Sequence, residues 1–92
     1  MSDLFIEIPT ERKSMAELRA HLDAALGQQF PGGMLQRHWE GDVLHLHGPG
    51  AKGTITLEEG KLVGRAALGP PATLMRAIIE QKVETAMKVA AS

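Results

Sequence analysis

Arg37-His38-Trp39-Glu40-Gly41-Asp42-Val43-Leu44-His45-Leu46-His47 decides how this chain is read. Two short alternating segments meet at Gly41-Asp42, and glycine tolerates the positive φ that opens a type II′ turn, so the stretch predicts a hairpin with a two-residue loop. Glu40 then pairs with Val43, Trp39 with Leu44, His38 with His45 and Gln36 with His47. Because side chains alternate, Leu35, Trp39, Leu44 and Leu46 share one face. Gln36, His38, Glu40, Val43, His45 and His47 share the other. One face is apolar and the other carries three of the four histidines.

Working outward, Thr54–Glu58 and Lys61–Leu68 flank Glu59-Gly60 and predict a second hairpin, with Ile55, Leu57, Leu62, Ala66 and Leu68 toward the core. Thr54, Thr56, Val63, Arg65 and Ala67 point the other way. Between the hairpins, Gly48 to Gly53 reads as a turn-rich connection; it lacks the spacing and the Lys-Ser or Lys-Thr ending of a phosphate loop. Upstream, Leu4 to Ile8 alternates up to Pro9 and predicts a strand with Phe5 on the outer face.

Ser14 followed by Glu17 has the form of a capping box. Met15, Leu18, Leu22, Ala25 and Leu26 recur at spacings of three and four, so a helix is expected from 14 to about 27, with Glu17, Arg19 and Asp23 on its solvated side. Gly69-Pro70-Pro71 ends the last strand. A final helix is expected from 72 to about 90, and its apolar positions cover half its circumference, more than one core contact needs. The surplus points to a second surface. The order is β-α-β-β-β-β-α: an α+β two-layer sandwich, an antiparallel sheet with two helices on one face, in helix-grip or TBP-like outline.

Composition narrows the function. Ninety-two residues make one small domain whose core is marginal alone, so a homo-oligomer, most simply a dimer, is expected. A net charge of −1, with two Phe, one Trp and no Tyr, argues against nucleic acid. The absence of cysteine fits a reducing compartment and removes thiol chemistry. The first residues have no secretory pattern and no run approaches the ~20 apolar residues of a transmembrane segment, so a cytoplasmic protein is expected. No nucleophile stands beside a base, and no cofactor motif occurs. The expectation is therefore a non-enzyme.

Taken together, the Arg12-Lys13-Ser14 start of the first helix, Trp39-Glu40-Gly41-Asp42 with Leu44, Gly53-Thr54-Ile55, Leu68-Gly69, and Ile78-Ile79-Glu80 followed by Val83 resemble the polyhydroxyalkanoic acid system protein family, from about residue 8 to 88. The resemblance implies an association with polyhydroxyalkanoate granules or their proteins and supplies no catalytic residues.

Three candidate functions follow. The first is an accessory protein acting by protein or granule-surface contact, with Val43, Val63, Ala67, Met87 and Val89 among the candidate contacts. The second is a module holding an apolar acyl ligand between sheet and helix, in a pocket lined by Trp39, Leu57, Met75 and Ile79. The third is a metal site of His38, His45 and His47, since opposed Cβ atoms lie roughly 5 Å apart.

Overall fold

The computed structural model describes residues 2–33 and 35–92. Five strands form one antiparallel sheet: β1 (Ser2–Pro9), β2 (Gln36–Glu40), β3 (Val43–Gly48), β4 (Ala51–Glu58) and β5 (Lys61–Leu68), in the spatial order β1-β5-β4-β3-β2. Two helices, α1 (Met15–Gln29) and α2 (Arg76–Ala91), lie against each other and cover one face. The α+β order agrees with the sequence expectation. The place of β1, which alternation alone leaves open, is at the edge beside β5.

Both hairpins have the expected registers. Glu40 pairs with Val43 and His38 with His45, and Gly41 has a φ of 59° while Asp42 stays out of the left-handed region, as a type II′ turn requires. Leu57 pairs with Leu62 across Glu59-Gly60. There both turn residues have positive φ, 48° and 78°, the type I′ pattern. The connection from 48 to 53 is tighter than expected: strand pairing runs through Gly48 and Ala51, leaving only Pro49-Gly50 as the turn. Proline presets the first position and Gly50, at φ 74°, takes the second.

Helix α1 buries the five residues its periodicity names, Met15, Leu18, Leu22, Ala25 and Leu26. The Glu17 carboxylate accepts the backbone N–H groups of Lys13 and Ser14 at 3.0 and 3.2 Å, closing the N-terminus. Gly27 does not end the helix, which continues to Gln29. Helix α2 begins four residues later than expected, after a 3-10 turn over Ala72–Met75, since Met75 at its N-cap offers no side-chain acceptor. Its C-terminus is held by the β1–α1 connection: Thr10 Oγ1 donates to the Ala91 carbonyl at 3.0 Å, and Arg12 donates to Ala90 and Ser92.

The main core joins Ile6, Ile8, Leu44, Ile55 and Leu62 of the sheet to the apolar stripe of α1 and to Ala86, Met87 and Ala90 of α2. A smaller cluster gathers Leu4, Leu68 and Ala72. Met87, expected as an interface or ligand contact, is instead fully buried. It lies over Gly64, where an added Cβ would stand 3.1 Å from the Met87 Sδ. Val63, expected on an exposed contact face, is only 3% exposed although it points away from the helices. It sits on a central strand between Glu7 and Thr56, and the Lys61–Glu7 and Arg65–Glu58 pairs flank it. Alternation named its face correctly but could not show that its neighbours cover it.

Candidate functional site

Aligning the strands by register explains where the core is incomplete. One transverse row of helix-facing positions reads Ile6, Gly64, Ile55, Leu44, Trp39. The next reads Leu4, Ala66, Gly53, Leu46, followed by a shorter row with Leu68, Ala51 and Gly48. Small residues therefore form the middle of the floor at this end of the sheet. Gly53 is obligatory, because a Cβ there would meet the Ala66 Cβ at 2.8 Å and the Arg65 carbonyl at 2.5 Å. At Gly64 the missing side chain is replaced by Met87. Over Gly53, Ala66 and Ala51 no side chain from the helices takes up the room.

The result is an apolar cavity of about 400 Å³ between the sheet and the N-terminal half of α2. That lies within the range of ligand pockets, roughly 300–1,000 Å³. Met75, Ile78, Ile79 and Val83 form its helical wall, spaced at three to four residues so that one face of α2 looks into it. Phe30 and Leu35 close it on the side of β3, and Leu4, Leu68 and Ala72 on the side of β1. The cavity is open: Met75 and Ile78 of its lining are each 49% exposed, and Leu74, next to Met75 in the 3-10 turn, is 87% exposed. The surplus apolar surface of the last helix thus has two parts: this rim and Val89, further along, which is also exposed.

Of the expected pocket residues, Met75 and Ile79 line the cavity, whereas Trp39 and Leu57 do not. Those two belong to the rows nearer the hairpin turns, where large side chains fill the space and pack on the main core. The signal that would have located the cavity was the set of small residues, Gly48, Ala51, Gly53, Gly64 and Ala66, spread over three neighbouring strands.

Lys82 is the cation that α2 brings to this site, one turn beyond Ile78. Its ammonium donates to the Gln29 carbonyl at 3.0 Å and lies 5.9 Å from the centre of the Phe30 ring. No Asp or Glu is among the residues lining the cavity.

The opposite face of the sheet carries no helix. His38 and His45 face each other there with ring centres 6.2 Å apart, and the His45 Nε2 lies 3.3 Å from the Glu40 Oε1. His47 stands one step along the strand, across from Gln36 and Lys52. Among the described residues, no three His, Cys, Asp or Glu side chains come close enough to hold a metal. Val43 and Ala67 are half-buried on this face, and Phe5 is 56% exposed with the Arg65 guanidinium 5.4 Å from its ring centre. Arg65 also donates to the Glu58 Oε2 at 2.8 Å, and the Thr56 hydroxyl donates to the same oxygen at 2.6 Å. These bonds, that of Arg65 first, hold the Glu58 carboxyl below its ordinary range.

Among the described residues, no helix is long and apolar enough to cross a membrane. No curated protein matches the chain. The sequence profile of one family matches residues 10–90, nearly the whole length, and by that match the chain belongs to the family described as "Putative polyhydroxyalkanoic acid system protein".

Proposed function

We propose that this protein is a non-enzymatic accessory protein of the polyhydroxyalkanoate system that works by taking an apolar chain into the cavity between its sheet and α2. The carrying observation is the cavity itself. Its floor is made of small residues, and its mouth keeps large aliphatic side chains in water, an arrangement that costs stability and suits a site for an apolar partner. Most of the lining is aliphatic or glycine, so burial of apolar surface is the main thing that the site offers a ligand's tail.

The test is titration with the neutral dye N-phenylnaphthylamine, read by its fluorescence. Binding displaced by dodecanol, and abolished by Ala66→Leu, is the expected result. The substitution places a side chain in the middle of the cavity floor. A folded wild-type protein that neither brightens the dye nor binds dodecanol would overturn the reading.

Contact with a granule surface is a second reading, favoured by the exposure of Leu74, Met75 and Ile78 at the entry to α2. Co-sedimentation with polyhydroxyalkanoate particles that is lost in a Leu74→Glu, Ile78→Glu double variant would support it. Retention of binding in that variant would count against it. A cytoplasmic homodimer joined through Phe5, Val43 and Ala67 of the open sheet face belongs to the same proposal, and sedimentation equilibrium of the purified chain tests it.

A further inference from the structure

We infer that the cavity selects a chain ending in a carboxylate, a free monocarboxylic acid of about a dozen carbons, and that Lys82 holds the carboxylate at the mouth. The inference rests on the proposed apolar-chain reading and specifies its ligand. Lys82 is half-buried beside Phe30, a lining residue, with its stem on the same face of α2 as Ile78, Ile79 and Val83. The Gln29 carbonyl takes one of the three ammonium N–H donors and fixes the head at the mouth. Among the described residues, no carboxylate forms an ion pair with Lys82, whereas Lys61, Lys88, Arg37, Arg65 and Arg76 each have one. A cation at the edge of a site without acidic side chains favours an anionic head and disfavours a neutral one of similar size.

Size sets the length of the tail. A methylene fills about as much room as a water molecule in the liquid, about 30 Å³, so a cavity of about 400 Å³ takes a chain of about a dozen carbons. Most of the lining beyond the Phe30 end is aliphatic or glycine, and His47, Lys52, Thr54 and Arg65 belong by alternation to the opposite face of the sheet, so polar substituents along the tail would lose hydrogen bonds to water without replacement.

Dodecanoate and methyl dodecanoate, titrated calorimetrically into wild-type protein and into Lys82→Met, separate the head from the tail. Wild type is expected to bind the acid about tenfold or more tightly than the ester. Lys82→Met, which keeps the stem and removes the charge, is expected to lose that preference while retaining its affinity for the ester. Shortening the acid from twelve carbons to ten should weaken binding about fourfold per methylene. Equal affinities of acid and ester in wild type would overturn the carboxylate inference and leave the apolar-chain reading standing. Binding of neither would overturn both. The comparison within wild type decides the matter even if the variant folds poorly.

Discussion

The indole N–H of Trp39, on the edge strand β2, donates to both carboxylate oxygens of Asp23 on α1, at 3.1 and 3.2 Å. This contact ties the outermost strand to the helical layer, and two cations complete it: the Arg19 guanidinium lies 4.8 Å from the Trp39 ring centre, and the Arg37 Nε is 3.4 Å from Asp23. Asp23 is half-buried, so it is not the freely solvated helix residue that its position between apolar neighbours suggests. Asp23→Ala would leave the indole N–H and Arg37 without their acceptor. A loss of about 1–2 kcal/mol is expected in urea unfolding. Trp39→Phe should lose a similar amount, and the double variant should lose less than the sum, because both substitutions remove the same bond.

The second hairpin turn contains a local misfit. Glu59 has a φ of 48°, a region that a side chain with Cβ enters at a cost, and Gly60 follows at 78°. Asparagine tolerates this conformation better and leads in type I′ turns. Glu59→Asn is expected to stabilise the protein by about 0.5–1 kcal/mol, seen as a rise in the urea midpoint without a change in slope. An unchanged or lowered midpoint would contradict this.

Much of this architecture was legible because each two-residue turn fixes a register, and each register assigns every side chain on two strands to a face. Thus the Trp39–Leu44 and Leu57–Leu62 pairs could be read directly. What could not be read were properties that need several elements at once. The edge position of β1 depends on Leu4 meeting Ala66, sixty-two residues away. The burial of Val63 depends on side chains from both neighbouring strands. The cavity needs Leu4, Ala66, Gly53 and Leu46 to be laid in one row, and no single strand shows it. The surplus apolar face of α2 was visible, but its cause, the shallow floor beneath it, was not.

The turn at Pro49-Gly50 lies under the chain entering α2. Gly50 has a φ of 74°, accepts the Gly69 N–H at 2.7 Å, and would place a Cβ 2.6 Å from the Gly69 carbonyl oxygen. Strain and collision act together here, unlike at Gly41, where nothing lies within 4 Å of an added Cβ. Gly50→Ala should therefore cost more than Gly41→Ala, on the order of 2–4 kcal/mol against about 1 kcal/mol. Chemical denaturation of the two variants side by side provides the check.

Acid should loosen the open sheet face through Glu58. The Arg65 hydrogen bond, then that of Thr56, lowers its folded pKa, while the same bond to Glu58 raises that of Arg65, which stays charged throughout. Because the folded pKa is depressed, the unfolded chain binds a proton first as pH falls. The stabilisation is then complete above the ordinary glutamate value, about 4.3, and disappears as pH falls through the lower folded value. Glu58→Gln should be less stable than wild type at pH 7, and the gap should narrow below about pH 4. A gap independent of pH would show that charge at Glu58 is irrelevant.

If the small-residue floor is kept open for a ligand, filling it should improve the empty protein. Ala66 stands between Leu4 and Gly53 in the transverse row, half-buried and facing the cavity. Ala66→Leu adds three carbons where there is already room, so it buries apolar area without forcing the sheet and α2 apart. A gain of about 0.5–2 kcal/mol is expected, as for other cavity-filling changes. Val63→Leu provides the contrast, because Val63 is already enclosed between β1 and β4, and extra volume there is expected to cost about 1–3 kcal/mol. Thermal unfolding of the two variants would separate the cases: a rise for Ala66→Leu with a fall for Val63→Leu places the spare volume under α2. A fall for both would mean that the floor is already packed and that the cavity cannot admit a chain.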